Sequence, residues 1–532
     1  MARSNAQSPD RPAHDPHNAA LPPSHIKING HLIGHAVDRC CGKRLWNGKK
    51  ATISRPMASS STAPRLLLAI ATLGAAAAVT ALLSCWNVGW LSDDWVLLDG
   101  VQHGAFLEEL RHVTLPRRAL WWASMHGAGP WLFRLGAIGC HVAASLVVLP
   151  RLGRLFFPAW PVATGYLAGL SLLGLPIAFD AMVWPATVAY PILELELLAV
   201  AYAHLRWLRG GGRAWRVGSV LATAAALVTW EIAISAPLIV AVLSVLTAKR
   251  GRRAVRDVAP HALLLGPWLV LKLGLSSTAT LEWLGVKRVV GHVLAAPLLT
   301  LSPWPLNYRF LMSSTGVVLA IAVFVLALAA AWRLSRDGAA MLILAVAVLL
   351  PVLPGPGPEG RYLLLAAPWL VLLATAATRD VVVRSGPAGY MVLALAFVTF
   401  FGVAGAASWW MAARWRTAGT ISRDVLDGVA RLAQADGRRD IVVIDAPDRM
   451  AGWGPISKAW VWRNGLPEAL GMRGLRLVAQ AHTAPGDPEV MGLRPSTLAW
   501  TPDDRAQWQA RNLLVLVCRP NGSGRYDVVP FQ

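Results

Sequence analysis

The side chains that could do chemistry in this chain are few, and most of them stand beside long apolar runs. Asp93, Asp94, Asp180, Glu231 and Arg361 each lie next to such a run. Ionisable groups in or beside a membrane span cost free energy, so their presence needs a reason. Carboxylates can accept protons, and a guanidinium group is well shaped to bind a phosphate. We interpret these five residues as candidates for lining a polar cavity in an otherwise apolar protein.

Each of these residues also has a simpler explanation. Asp94 could be the N-cap of a helix that begins at Trp95. Two adjacent carboxylates raise each other's pKa, however, so capping alone does not account for the pair. Asp180 and Glu231 could be loop residues in the headgroup layer, and Arg361 could be an interface anchor. These alternatives remain open at the level of the sequence.

Four further ionisable residues lie in or near apolar runs: Glu194, Glu196, Lys272 and Glu359. The two glutamates are two positions apart, so one helix cannot aim both side chains in the same direction. We therefore expect at least one of them to serve structure or to meet a neighbouring helix.

The composition indicates an integral membrane protein. Of the 532 residues, 55% are hydrophobic and 15% are charged, whereas soluble proteins average about 45–50% and about 25%. The mean hydropathy is +0.47. These values exclude an ordinary soluble enzyme, and the five scattered cysteines exclude a disulfide framework.

The apolar runs predict eleven membrane spans of roughly 20 residues each. They cover approximately 65–84, 130–149, 160–179, 186–205, 216–230, 232–248, 258–275, 314–332, 338–353, 361–378 and 387–407.

The basic residues predict how these spans are oriented. With the amino terminus inside, the short cytoplasmic turns carry fifteen Lys and Arg, and the longer outer turns carry seven. This is the positive-inside pattern, and it accounts for most of the net charge of +21 without a nucleic-acid partner. The prediction places two long loops, 85–129 and 276–313, and the carboxyl terminus outside.

The amino-terminal residues 1–56 lack apolar periodicity. We predict either a disordered cytoplasmic tail or an extension of the gene upstream of Met57. A metal site is the alternative here, but the spacing fits no closed zinc pattern. Its candidate ligands would be His25, His31, His35, Cys40 and Cys41.

The carboxyl-terminal residues 411–532 predict a small extracytoplasmic α/β domain. Apolar residues at helical spacing indicate a helix over 415–435. The segments "DIVVIDAP", "LRLVAQ" and "NLLVLVCR" predict strands, and Cys518 in the last of them is expected to be a buried small residue.

Five short motifs in fixed order carry a resemblance to a known family. They are "LSDDWVLL" with Asp93 and Asp94, "WLFRLGAIGCHVAASLVVL" with His141, "PIAFDAMVW" with Asp180, "TWEIAISAPLIV" with Glu231, and "EGRYLLLAAPWL" with Arg361. Over residues 65–410 the chain resembles the GT-C superfamily of integral-membrane glycosyltransferases, and especially the dolichyl-phosphate-mannose–protein mannosyltransferase type and its bacterial relatives. The family commonly separates its two loop acids by one residue, whereas here they are adjacent.

The resemblance implies a helical polytopic domain over 57–410 that transfers a sugar, with inversion, from a polyprenyl-phosphate donor to an acceptor hydroxyl outside the membrane. It implies that Asp93 or Asp94 takes the proton of the hydroxyl. Arg361 is the first candidate for stabilising the leaving phosphate. Lys272 and Arg309 are the next candidates.

The resemblance also implies that Asp180, Glu231 and Tyr362 bind the substrates. No cofactor is predicted, although Mg²⁺ or Mn²⁺ stays open, because two adjacent aspartates do not by themselves define a metal site. The expected partners are the lipid-linked sugar donor, an acceptor that is a glycan, lipid or protein, and membrane lipid. The expected location is the bacterial plasma membrane.

Rival readings place the same residues in other classes of protein. A lipid-sugar transporter or flippase would hold its polar groups near the midplane in related repeats, and the sequence contains no internal repeat. An O-antigen ligase or polymerase would favour Arg-rich outer loops over an early acidic pair. In a non-catalytic membrane scaffold the loop acids would be incidental.

Overall fold

The computed structural model describes residues 62–102, 121–247, 251–275, 286–306, 310–311, 313–353, 360–447, 459, 461–462, 465–481, 501–523 and 525–531. The predicted tail 1–56 with its His and Cys residues, Arg309, Glu359 and the side chain of Lys272 lie outside the described residues.

The first half of the described chain is helical. Its helices are α1 Thr62–Leu83, α2 Asp93–Gln102, α3 Trp131–Ala143, α4 Leu149–Phe156, α5 Val162–Leu173, α6 Phe179–Val183, α7 Ala189–Leu208 and α8 Arg213–Thr229. Short 3₁₀ turns at Pro176–Ala178 and Pro185–Thr187 precede α6 and α7, because each begins with a proline that fits the first turn of a helix.

The second half continues as helices and ends in a sheet. The helices are α9 Ala236–Thr247, which follows a 3₁₀ turn at Glu231–Ser235, α10 Gly251–Leu263, α11 Leu265–Leu275, α12 Val286–Leu301, α13 Ser314–Arg333, α14 Ser335–Leu349 and α15 Gly360–Asp436. The sheet region contains β1 Asp440–Ile444, α16 Leu466–Gly471, β2 Arg476–Ala481, α17 Pro502–Ala510, β3 Leu514–Pro520 and β4 Tyr526–Pro530.

The helices expose apolar surface in the way that a bilayer requires. Helix α13 is 20 residues long, about 30 Å, which matches the hydrocarbon thickness of a membrane. Its side chains Val318, Leu326 and Trp332 are 66%, 67% and 89% exposed. An apolar face of this kind is stable when lipid covers it. The chain is therefore a polytopic membrane protein.

Every predicted span coincides with a helix or with two consecutive helices. Among the described residues, five helices are long and apolar enough to cross a membrane, or six if the bent pair Val162–Leu173 and Pro176–Val183 is one span. The count of eleven stays a prediction. Helix α12 was not anticipated, since its sequence lies in the predicted outer loop 276–313.

The last helix differs from the expectation of a span over 387–407 and a separate helix over 415–435. Helix α15 is interrupted at Gly386, whose φ is 63°, and then continues without a break to Asp436. Pro387 starts this second part, and the next proline is Pro447, so no residue between them forces the helix to end. The helix therefore crosses the predicted domain boundary at 410.

The sheet has the strand order β2-β1-β3-β4. Strand β1 pairs in parallel with β2 and β3, and β3 pairs antiparallel with β4. The three segments predicted as strands form β1, β2 and β3, whereas β4 was not anticipated. One face of the sheet packs on α15, where a Cβ at Gly428 would lie 2.7 Å from Val528. Cys518 is buried, as expected.

Candidate functional site

The two adjacent aspartates begin helix α2 and lie in different environments. Asp94 is fully buried. One carboxylate oxygen, Oδ2, accepts the Leu91 N–H at 2.9 Å, and the other, Oδ1, accepts the Ala186 N–H at 2.8 Å. Asp94 therefore joins the start of α2 to the turn before α7, which is 92 residues later in the chain.

Burial raises the pKa of Asp94 to about 8, although the Leu91 N–H, the nearby Arg134 guanidinium and the Ala186 N–H oppose this. Both oxygens already bind backbone groups, so that Asp94 holds the local structure in place. Asp93, at the first position of α2, is only half buried. Of the two aspartates, the geometry favours Asp93 as the one that can reach a substrate.

The acidic character around Asp93 extends to the carboxyl-terminal region. Burial raises the pKa of Glu468 in α16, and the neighbouring carboxylates of Asp99 and Asp93 raise it further. A carboxylate in such surroundings is a good candidate for a proton acceptor, because like charges favour binding of a proton.

The carboxyl-terminal region also closes over the aspartate turn. Ser92, with a φ of 46°, donates its N–H to the Val461 carbonyl at 3.0 Å. Gly465 packs so closely that a Cβ there would lie 2.2 Å from the Ser92 carbonyl oxygen. The rings of Trp95 and Trp462 are stacked at 6.4 Å. The turn is thus held between the helices and the segment that precedes α16.

Arg134 in α3 is a buried cation that sequence reasoning missed. Its Nε donates to the Val183 carbonyl at 2.9 Å, its Nη1 to Trp86 at 3.1 Å and its Nη2 to Gly89 at 3.4 Å. It therefore fixes the chain on either side of the site. The signal was present, since an arginine within an apolar run costs free energy and needs a partner.

Arg361 at the start of α15 lies among three aromatic rings, which we call the Arg361 cage. Its guanidinium carbon is 5.6 Å from the centre of the Trp184 ring, 6.0 Å from Tyr190 and 5.3 Å from Tyr362. Cation–π attraction to such rings stabilises the charge while the edge of the guanidinium stays able to bind an anion. The predicted pair Arg361 and Tyr362 thus lies in one cluster.

Asp180 lies beside this cage, and Glu231 follows a tryptophan whose ring is near it. The Trp415 indole N–H donates to Asp180 Oδ1 at 3.1 Å, and the Trp415 ring is 6.2 Å from Trp184. On the other side, the Trp230 ring, next to Glu231, is 5.8 Å from Tyr190. Both carboxylates are half buried.

One short segment contacts two of the predicted site residues, Arg361 and Asp94. Trp184 contributes to the Arg361 cage, and Ala186, two residues later, binds Asp94. We call this part of the helical region the site end. It combines carboxylates, a cation and aromatic rings, which suits the binding of a phosphate beside a sugar.

Glu194 and Glu196 meet neighbouring helices, as the sequence predicted. His141 Nδ1 and Glu194 Oε2 are 2.7 Å apart and both side chains are buried. The Thr229 hydroxyl donates to Glu196 Oε1 at 2.9 Å. These contacts connect α7 with α3 and α8 beneath the Arg361 cage, because Glu194 lies one helical turn from Tyr190. These contacts hold α7, the helix that carries Tyr190, against its neighbours.

Among the residues that the structure describes, no group of three or more His, Cys, Asp or Glu side chains is arranged to hold a metal ion. We therefore derive no step through a metal.

Comparisons with known proteins point to one fold. No family model matches the chain, and no curated protein matches its sequence. The apo crystal structure of ArnT from Cupriavidus metallidurans has a TM-score of 0.51 and 13% identity, with 86% of this chain and 97% of ArnT covered.

Two further solved structures are similar at lower scores. ArnT from the same organism bound to undecaprenyl phosphate has a TM-score of 0.49 and 14% identity, with 86% of this chain and 97% of that chain covered. An Archaeoglobus fulgidus oligosaccharyltransferase in complex with Zn and sulfate has a TM-score of 0.42 and 15% identity, with 71% and 60% covered. The chain therefore has the fold of ArnT, which agrees with the fold that its resemblance to the GT-C superfamily of membrane glycosyltransferases predicts.

Proposed function

We propose that this protein transfers a sugar from a polyprenyl-phosphate donor to an acceptor hydroxyl at the extracytoplasmic face of the bacterial plasma membrane. The observation that carries the proposal is the Arg361 cage, to which Trp184 contributes two residues before Ala186, the residue that binds Asp94. A cation held by aromatic faces at the end of an apolar bundle suits a phosphate whose lipid chain remains in the membrane.

The reaction assigns a role to each site residue. Asp93 takes the proton of the acceptor hydroxyl, and the oxygen attacks the anomeric carbon of the sugar. The bond from that carbon to the phosphate oxygen breaks, and polyprenyl phosphate leaves with the electron pair. Arg361 stabilises the charge that develops on this phosphate. Attack opposite the leaving group inverts the anomeric centre.

The remaining residues position these groups. Asp94 and Arg134 hold the aspartate turn and the segment before α7 through backbone hydrogen bonds. Tyr362 in the cage, Asp180 beside it and Glu231 would orient the sugar through hydrogen bonds to its hydroxyl groups. The small sheet region beside the aspartate turn belongs on the extracytoplasmic side in this proposal, where it can contribute to binding the acceptor.

The fold shared with ArnT supports a transferase over a lipid-sugar flippase. ArnT, which shares the fold, has also been solved with undecaprenyl phosphate, a lipid of the class proposed here.

The test is transfer by the purified protein. Membranes or liposomes containing the protein are given a labelled polyprenyl-phosphate sugar, and the label is followed into extractable glycan, lipid and protein. We expect label transfer with release of polyprenyl phosphate, and no transfer from a nucleotide sugar alone. Comparison of envelope glycans with and without the gene identifies the acceptor. Movement of the intact labelled lipid across the bilayer without bond cleavage would establish the flippase instead.

A further inference from the structure

A second cavity, of about 220 Å³, lies far from the site end and is lined mostly by apolar residues. It is enclosed by α1, α5 and the two parts of α15 on either side of Gly386. The residues that matter for its chemistry are Leu67, Thr164, Thr378, Arg379, Tyr390 and Phe397. Arg379 follows Arg361 by 18 residues of helix, about 27 Å, so the cavity is at the opposite end of the helical region.

Arg379 is the charged residue in the lining of this cavity. It is half buried, and it has no carboxylate partner among the described residues. The nearest acid in the sequence, Asp380, is already bound by Arg333 at 2.5 Å and by Arg384 at 3.1 Å. A guanidinium without a carboxylate, facing a cavity, favours an anion as its ligand.

The other walls of the cavity divide into a polar and an apolar part. Thr164, Thr378 and Tyr390, which carry hydroxyl groups, line the cavity together with Arg379. Thr378 donates its hydroxyl hydrogen to the Ala374 carbonyl at 2.7 Å, and its oxygen can accept a hydrogen bond. Leu67 and Phe397 supply an apolar wall that suits a hydrocarbon chain.

The position of the cavity indicates which kind of ligand it suits. Val383, which also lines the cavity, is 62% exposed. Arg379 lies where α15 leaves the apolar core, a level at which arginine meets lipid headgroups. The basic turns predicted for this end attract anionic lipids.

We propose that this cavity binds an anionic glycerophospholipid, with the lipid phosphate on Arg379 and an acyl chain against Leu67 and Phe397. A polyprenyl phosphate belongs at the site end, about 27 Å away. The proposal does not depend on sugar transfer. Because the lining includes residues from both parts of α15, the lipid joins the two sides of the break at Gly386.

The test is lipid binding to the purified full chain in detergent, followed by native mass spectrometry. Phosphatidylglycerol is titrated against wild type, Arg379→Gln and Arg379→Lys. A surface arginine is worth about 1 kcal/mol toward an anionic lipid, so Arg379→Gln should weaken binding about fivefold. Arg379→Lys should keep most of it.

The matched control is Arg384→Gln, which removes a second cation from the same turn. The Arg384 side chain is 66% exposed and is paired with Asp380. It should leave phosphatidylglycerol binding unchanged. Soluble glycerol phosphate should not compete, and phosphatidylcholine should bind more weakly than phosphatidylglycerol.

Four outcomes would overturn the proposal. If Arg379→Gln and Arg384→Gln weakened phosphatidylglycerol binding equally, the lipid would be attracted to the basic turn as a whole. Unchanged phosphatidylglycerol binding in Arg379→Gln would show that Arg379 takes no part. Equal binding of phosphatidylcholine would remove the charge argument. Displacement of phosphatidylglycerol by an equal amount of polyprenyl phosphate would assign the cavity to the carrier lipid.

Discussion

Each end of the helical region has an arginine on α15, and the surroundings of the two arginines differ. Arg361 at the site end is surrounded by three aromatic rings, and Asp94 and Asp180 nearby are fixed by hydrogen bonds. Arg379 at the opposite end faces a cavity with hydroxyl groups and apolar walls. The first arrangement is rigid before any ligand arrives, and the second leaves space.

This difference has a physical meaning. Catalysis needs charged groups that are already oriented toward the place where charge develops, because reorienting them during the reaction costs free energy. A lipid with flexible chains requires a phosphate contact and an apolar surface of less definite shape. The comparison therefore agrees with the two proposals, which place chemistry at the site end and lipid binding at the opposite end.

The largest effect is expected at Asp93. Asp93→Asn removes the proposed proton acceptor and should lower the rate of sugar transfer by about 10²–10⁴-fold with membrane insertion intact. The matched control is Asp99→Asn, because Asp99 is on the same helix and also lies near Glu468. An equal loss in both variants would show that the acidic surroundings matter and that Asp93 is not the base.

Arg361→Ala should reduce transfer by about 10²–10³-fold, because the leaving phosphate loses its counter-charge. The rate is measured over a range of donor concentrations. Arg384→Gln, which removes a cation at the opposite end, should retain wild-type transfer. If the transfer rate of Arg361→Ala depended on donor concentration as in wild type, Arg361 would be only an interface anchor.

Asp94→Asn tests positioning rather than proton transfer. An amide nitrogen cannot accept an N–H, so one backbone donor loses its partner and the protein loses about 1–3 kcal/mol of stability. Transfer should be lost as well, since the aspartate turn is no longer held. Thermal unfolding in detergent distinguishes the two aspartates, because only Asp94→Asn should lower the Tm.

The same variant should change how stability depends on pH. The pKa of Asp94 is raised from 3.8 to about 8 by burial. The folded protein therefore holds this proton more tightly than the unfolded chain, and the stabilising effect is lost as the pH rises from about 4 to about 8. The Tm difference between wild type and Asp94→Asn should narrow over this range. A constant difference would contradict the raised pKa.

The smallest effect is expected at Trp415. Trp415→Phe keeps a ring beside Trp184 but removes the hydrogen bond to Asp180, worth about 0.5–1.5 kcal/mol. The kcat/KM for the donor should fall by roughly tenfold at most. Trp409→Phe, at a position that is 42% exposed on the same helix, is the control and should behave as wild type.

Much of the fold follows from local patterns in the sequence. Apolar runs located the helices, and β-branched apolar segments located β1, β2 and β3. Strand β4 was missed because "YDVVP" is short and pairs only with β3. The uninterrupted second part of α15 was missed because a change from apolar to amphipathic sequence does not end a helix.

The site was only partly predictable. Asp180 and Arg361 could be chosen because charged residues stand out beside apolar runs, and Tyr362 was chosen from the family resemblance. The bond from Asp94 to Ala186 could not be foreseen, since it depends on how α2 and the turn before α7 are packed. The same holds for Trp415, which reaches Asp180 across 235 positions of sequence. Tertiary contacts of this kind have no local signature.

The second part of α15 is one long helix that begins after Gly386, so a change in angle at this glycine would move its distant residues the most. Trp415 is 29 residues beyond the glycine, about 43 Å along a straight rod. A tilt of about 5° at that single residue would displace the indole by about 4 Å, more than the length of its hydrogen bond to Asp180. A small change in angle at Gly386 would thereby break a polar contact near the other end of the helical region.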